Sequence, residues 1–194
     1  MRSDEVDFEY ERRFLVRQLP ADLLRDQRPN VIVQTYFLAA GGYGLRIRLQ
    51  ATEARRHLPQ DASGKEPIEL FAQDFDLCML TVKGPGNSGI RYEAERELDL
   101  NVGIEMSLLG GITLSKRRYG VWLDEDGWVI DQFSGENAPL IIAECERTSP
   151  VTNLIVPDFC LAEVTNDARF SNDSLVNHPY SEWAEQYQRE LAQP

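Results

Sequence analysis

Histidine is nearly missing from this chain: its 194 residues contain two, His57 and His178. That argues against a histidine-ligated metal centre and against a nucleophile activated by imidazole. Cysteine is scarce as well. Cys78, Cys145 and Cys160 are odd in number, far apart and flanked by apolar residues. They read as reduced core thiols rather than a disulfide framework or a zinc site. No stretch approaches the ~18 uninterrupted apolar residues of a membrane-spanning helix. The opening residues, Met1 to Asp7, are acidic and lack an apolar signal core, so the expected location is cytoplasmic. Basic residues are outnumbered: 20 Lys and Arg against 32 Asp and Glu give a formal charge of −12. The basic footprint that nonspecific nucleic-acid binding requires is therefore lacking. Gly84-Pro85-Gly86-Asn87-Ser88-Gly89 has no G-K-[ST] ending and no helix pattern after it, so it reads as a hairpin connection and not a phosphate loop.

What the chain does have is charge set at alternate positions. Successive side chains of an extended strand point to opposite faces. Glu9, Glu11 and Arg13 therefore share one face near the N-terminus, while Phe8, Tyr10 and Phe14 share the other. The pattern returns in Leu45-Arg46-Ile47-Arg48-Leu49, in Arg91-Tyr92-Glu93-Ala94-Glu95-Arg96-Glu97 and in Lys116-Arg117-Arg118-Tyr119. It recurs in Val129-Ile130-Asp131 and in Ile141-Ile142-Ala143-Glu144-Cys145-Glu146. Amphipathic strands with solvated outer faces also alternate in this way. Such faces usually mix Lys, Glu, Thr and Ser, whereas here pairs of Glu and pairs of Arg or Lys are kept apart. Carboxylates and cations are thus expected to face one shared, wet space.

That inward set comprises seven acids, Glu9, Glu11, Glu93, Glu95, Asp131, Glu144 and Glu146. Against them stand seven bases, Arg13, Arg46, Arg48, Lys83, Arg91, Lys116 and Arg118. The two groups cancel, which leaves the excess negative charge to the outer surface and the tails. Arg12, Arg96 and Arg117 fall on the opposite face and read as surface or packing residues. Tyr36, Tyr92 and Tyr119 read as core tyrosines with hydrogen-bonded hydroxyls.

The length fits a single domain over residues 1–194. About eight strands are expected, with short helices near Pro20–Asp26 and Asn101–Leu109 and a C-terminal helix within 181–194. Residues 50–76, with Pro59, Asp61, Ser63-Gly64 and Pro67, read as a surface insertion. Strands joined by short helices make a β-dominated α+β fold with an antiparallel sheet. Pattern alone leaves sandwich and barrel equally open.

Glu9-x-Glu11-x-Arg13 followed by Phe-Leu-Val resembles the E-x-E-x-K opening of the CYTH superfamily, the triphosphate tunnel metalloenzymes. The resemblance continues in the family's order through Gln34-Thr35-Tyr36-Phe37-Leu38, Arg46-x-Arg48 and Leu80-Thr81-Val82-Lys83-Gly84. It then takes in Arg91-x-Glu93-x-Glu95, Lys116-x-Arg118-Tyr119, Asp131, Glu144-x-Glu146 and Glu163-Val164-Thr165. Two departures are Arg at position 13 in place of Lys and the long stretch after Gln50. The resemblance implies a closed eight-stranded antiparallel barrel, a tunnel with helices packed outside and Glu163 at its mouth. It also implies metal-dependent hydrolysis of inorganic triphosphate or a related small triphosphate. The family's adenylyl cyclases supply an alternative, cyclic AMP formation from ATP, and a noncatalytic polyphosphate-binding module is a third reading.

The chemistry suits these residue types. A triphosphate needs cations along its length, and the Arg fork matches phosphate oxygens. Arg13, Arg46, Arg48, Lys83, Arg91, Lys116 and Arg118 are the expected substrate-binding residues. Hydrolysis also needs neutralisation of the transferring group by hard cations with oxygen ligands. Glu9, Glu11, Glu95, Asp131, Glu144 and Glu146 are the expected holders of Mg²⁺ or Mn²⁺. Glu9, Glu11, Glu93, Glu95 and Lys116 are the expected catalytic groups. Partners are then a small triphosphate, with no nucleic acid and no membrane, in a monomer or homodimer.

Overall fold

Alternation of this kind forms strands where one face can be covered by apolar side chains, and the structure, a computed structural model, contains nine of them. It describes residues 8–87, 90–147 and 151–192, with the backbone alone for Phe8, Glu9, Gly86, Asn87, Ile90 and Arg91. The strands are β1 (Phe8–Val16), β2 (Asn30–Ala40), β3 (Tyr43–Ala51), β4 (Leu77–Asn87) and β5 (Ile90–Glu97), followed by β6 (Ile112–Leu123), β7 (Asp126–Phe133), β8 (Ile141–Arg147) and β9 (Cys160–Glu163). Five helices accompany them: α1 (Ala21–Leu24), α2 (Glu66–Phe71), α3 (Leu100–Leu109), α4 (Asn172–Asn177) and α5 (Ala184–Leu191).

All nine strands lie in one sheet of order β5-β4-β3-β2-β6-β7-β8-β1-β9, and their pairings are antiparallel. A further pairing joins β1 to β5 at Phe8↔Tyr92, Glu9↔Arg91 and Tyr10↔Ile90. The expected eight-stranded closed barrel is therefore corrected in two respects. The ninth strand, β9, pairs with β1 at Phe14–Val16 and so uses part of the edge that would meet β5. The link between β1 and β5 covers three residue pairs and does not run the length of either strand. A four-residue strand is too short for alternation to announce it, which is why β9 was not expected.

Apolar side chains cover the outside of the sheet in two layers. Val31, Val33, Ile47, Leu49 and Cys78 from β2, β3 and β4 pack with Leu58, Ile68 and Phe71 and with Ile104 of α3. Leu58, Ile68 and Phe71 are fully buried, so the stretch expected as a surface insertion is a structural cover for these strands. Its polar loop residues hid an apolar stripe of low density. The second layer joins Phe14, Trp128, Ile130, Ile141 and Ala143 to Leu154 and Phe159.

A third cluster lies on the inner face, at one end. Leu15, Tyr36, Leu114, Phe133 and Ile142 meet Phe170, Leu175, Val176, Tyr180 and Tyr187 from the C-terminal part. Trp183 stands edge-on to Phe170, Tyr180 and Tyr187. The C-terminal helix expected over 181–194 forms as a 3-10 turn at Tyr180–Glu182 and then α5.

Helix α3 begins where expected: the Asp99 side chain accepts from the Val102 N–H and caps it. Gly103 lets this helix approach β4 closely, because a Cβ there would stand 2.1 Å from the Cys78 Sγ. Among the described residues, no helix is long and apolar enough to cross a membrane.

Candidate active site

The inner face changes character just beyond the third cluster. On β1 the inward row runs from Leu15 to Arg13 and Glu11, and on β8 from Ile142 to Glu144 and Glu146. On β6 it runs from Leu114 to Lys116 and Arg118, and on β7 from Phe133 to Asp131. Four strands thus pass from apolar to ionic, together on β1 and β8 but staggered elsewhere, with Lys116 opposite Phe133 and Asp131 opposite Ile142. On β2 to β5 the inward rows carry Gln34 and Tyr36, Arg46 and Arg48, Thr81 and Lys83, and Glu93 and Glu95.

Two ionic groups occupy this face. In the first, Asp131 takes the Arg118 fork through Nε to Oδ1 and Nη2 to Oδ2, both at 2.7 Å. The Lys116 Nζ donates to the same carboxylate at 2.5 Å and to the Asn172 Oδ1 at 3.4 Å. Arg118 also donates to Glu144 at 3.3 Å. Asp131 and Lys116 are both buried, at 1% and 0% exposure. Burial alone would push the Asp131 carboxyl up, but the adjacent Arg118 and Lys116 outweigh it and hold the group down at about 2. Burial draws the Lys116 ammonium below its usual range, against the pull of Asp131. Lys116 and Arg118 against Asp131 and Glu144 leave the group close to neutral, with both cations fixed in place on the inner face.

In the second group, Arg46 donates to Glu93 at 3.2 Å and to the Tyr36 hydroxyl at 3.0 Å. Lys83 donates to the other Glu93 oxygen. Arg48 donates to Glu95 at 3.1 Å, and the Thr81 hydroxyl donates to the second Glu95 oxygen at 2.7 Å. The Nε atoms of Arg46 and Arg48 are buried and have no hydrogen-bond partner among the described residues.

Between the two groups stand carboxylates with less compensation. Glu11 lies directly opposite Glu146, and Arg13 opposite Glu144, across β1 and β8. Arg13 Nε is 3.4 Å from Glu11, while its other nitrogens donate to the Phe170 and Thr165 carbonyls. Glu146 makes no ion pair among the described residues. Burial, then Glu144, raises the Glu11 carboxyl, with Arg13 opposing. Burial, then Glu144 and Glu93, raises Glu146. Like charges facing each other across strands are unfavourable unless a cation intervenes.

Of the expected site residues, Glu11, Arg13, Arg46, Arg48, Lys83, Glu93, Glu95, Lys116, Arg118, Asp131, Glu144 and Glu146 share this face. Glu9 and Arg91 have backbones paired with one another, and their side chains lie outside the described residues. Glu163, expected at the mouth, instead holds Arg12 on the opposite face of β1 at 2.6 and 2.9 Å. Arg117 meets His57 at 3.2 Å, also away from the site. Tyr92 is 46% exposed and is not a core residue. Burial pushes the Cys78 thiol up to about 11 and Cys160 up to about 12, consistent with unreactive thiols.

Asn172, Thr165 and the Tyr36 hydroxyl were missed as site partners. Tyr36 shares its parity with Gln34 and faces inward, a signal the sequence held. Asn172 reaches Lys116 across 56 residues, and no local pattern encodes that.

The residues can be tested against a divalent ion. Among the described residues, no group of three or more His, Cys, Asp or Glu forms a ready-made cage. Mg²⁺-like ions need few protein ligands, since they keep waters and take phosphate oxygens. Glu11, Glu144 and Glu146 fit that role, since a cation would offset the repulsion that, after burial, raises Glu11 and Glu146. Asp131 does not fit, because Arg118 and Lys116 hold both of its oxygens.

No family model matches the chain. An inorganic triphosphatase from Acetivibrio thermocellus is 35% identical over 112 residues, covering 57% of this chain and 72% of that protein. The solved structure of the inorganic triphosphatase NE1496 superposes with a TM-score of 0.55 at 24% identity, covering 87% of this chain and 93% of that one. A second structure of NE1496, described as a hypothetical protein, gives the same TM-score at 25% identity, covering 87% and 97%.

Proposed function

The chain belongs to the CYTH superfamily of triphosphate tunnel enzymes, and on that premise we propose that it is a divalent-metal-dependent hydrolase of inorganic triphosphate or a related small triphosphate. The observation that carries this reading is the separation of charge on one inner face. Arg46, Arg48, Lys83, Lys116 and Arg118 line it with cations, and Glu11, Glu144 and Glu146 gather on β1 and β8.

The short β1–β5 pairing would bring eight of the strands into a tunnel, with β9 laid against its outside edge. Arg46 and Arg48 offer unpaired buried Nε donors to phosphate oxygens. Lys116 and Arg118, fixed by Asp131, hold the opposite side of the chain of phosphates. Glu11, Glu144 and Glu146 would hold Mg²⁺ or Mn²⁺. When bound, the ion neutralises charge on the transferring phosphoryl group and helps orient a water in line. Arg13 steadies Glu11 through Nε while its other nitrogens hold the Phe170 and Thr165 carbonyls, a use of the planar fork. The protein acts in the cytoplasm, without nucleic acid.

A phosphate-release screen tests the reading with triphosphate, pyrophosphate, ATP and thiamine triphosphate, each with Mg²⁺ and with Mn²⁺. Cyclic AMP is followed in the same samples. Metal-dependent release from triphosphate is the expected result. Cyclic AMP from ATP without triphosphate turnover would replace this reading with the cyclase one.

A further inference from the structure

Three buried polar atoms without partners lie side by side on β2 and β3. Two are donors, the Nε atoms of Arg46 and Arg48, and the third is an acceptor, the Gln34 Oε1. Gln34 is 3% exposed and pairs in register with Arg48, while Tyr36 pairs with Arg46. Its parity matches Tyr36, whose hydroxyl reaches Arg46, so the Gln34 amide faces the same interior as both arginines. A buried acceptor left without a donor is unfavourable, so such groups call for an explanation.

An ionised triphosphate satisfies the two arginine donors, because its oxygens accept. It has no donor for Gln34. With both Nε donors turned to phosphate, an O–H group would complete the Gln34 acceptor, and hydrolysis supplies one: the water that attacks phosphorus. We propose that Gln34 is a further catalytic residue, whose side-chain oxygen accepts a hydrogen bond from the attacking water and aims it at the phosphoryl group held by Arg46 and Arg48. This inference rests on the triphosphatase reading above.

The step balances simply. The water oxygen forms a bond to the terminal phosphorus as the bridging P–O bond breaks, and pyrophosphate leaves with that electron pair. One water proton stays on the new orthophosphate, and the other passes to a phosphate oxygen or to solvent. The Gln34 amide accepts a hydrogen bond and takes no proton, which suits an orienting role.

The test compares the wild type with Gln34→Met and Gln34→Glu in steady-state triphosphate hydrolysis and in thermal unfolding. Methionine keeps the length and removes the acceptor. Gln34→Met should lose about 10- to 10²-fold in kcat with KM within about twofold, while its Tm holds or rises. Gln34→Glu keeps an acceptor, so kcat should stay within about fivefold, with KM raised by the added charge. A kcat for Gln34→Met within twofold of wild type would overturn the assignment. So would a loss confined to KM, which would make the donor a phosphate hydroxyl, or a fall in Tm that accounts for the lost activity. Wild-type protein without triphosphate turnover would instead overturn the triphosphatase reading.

Discussion

Asp131 receives Arg118 through two 2.7 Å hydrogen bonds while the same carboxylate takes Lys116 at 2.5 Å. The pair and its third member form the most buried ionic group described on the inner face. Asp131→Asn would leave the buried Lys116 ammonium facing a neutral amide, while the part-exposed Arg118 keeps Glu144. It should cost about 3–5 kcal/mol of stability, the range for breaking a buried ion pair by removing one partner. Urea unfolding measures this, and a loss below about 1 kcal/mol would mean that water compensates the cations. Because Asp131 sits at about 2, its contribution is present above the unfolded carboxylate range and is lost as pH falls towards 2.

Glu11 and Glu146 behave in the opposite sense. Their folded values lie above the ordinary range of about 4.3, so the folded state binds their protons more tightly. Their stabilising effect is full below the unfolded value and is lost as pH rises through the folded ones. Metal-free protein should therefore lose Tm on going from about pH 4.5 to pH 7. Mg²⁺ or Mn²⁺ should restore it, with a larger metal-induced shift at the higher pH. A shift independent of pH would detach the metal from these carboxylates.

Glu146→Gln separates stability from turnover. The substitution removes one repelling charge, so the metal-free Tm should hold or rise. Turnover should fall by about 10²-fold, the scale for removing a group that stabilises transition-state charge. Phosphate release at saturating metal measures this effect, and unchanged kinetics would take Glu146 out of the site.

Arg48→Ala tests the substrate grip. Triphosphate at about 100 times Kd should stabilise the wild type by about 2.7 kcal/mol, and the variant at the same ligand concentration much less. Equal ligand-induced Tm shifts would make Arg48 a structural partner of Glu95 alone.

Gly103→Ala tests the outer layer, far from the chemistry. The new methyl meets the Cys78 Sγ and should cost about 1–3 kcal/mol through overpacking. Cys78→Ala in the same chain should recover most of the loss, a coupling that denaturation of the double variant can read.

The inner face was legible because β-strand parity is strict. Once Glu11, Arg46, Lys116 and Glu144 are placed on strands, their partners two residues away must share the face. The outer cover was less legible. Leu58, Ile68 and Phe71 lie in a segment punctuated by Pro59, Gly64 and Pro67, whose polar stretches mask three buried anchors. The contact between Asn172 and Lys116 was invisible, since it depends on how the C-terminal part folds back over the sheet. Glu163 misled because its place in the motif says nothing of the strand it ends or of the face of β1 it meets.

The two outer apolar layers and the cluster at the inner end account for most of what holds the strands in place, and none of them includes an ionic wall residue. Folding and reaction thus draw on largely separate sets of side chains. A lineage carrying this scaffold can redraw the lining, exchanging a Glu for a Gln or an Arg for a Lys, while the surrounding apolar layers continue to specify the same strands. New substrates become reachable by editing the wall one residue at a time, with the Lys116–Arg118–Asp131 knot as the stretch least open to revision.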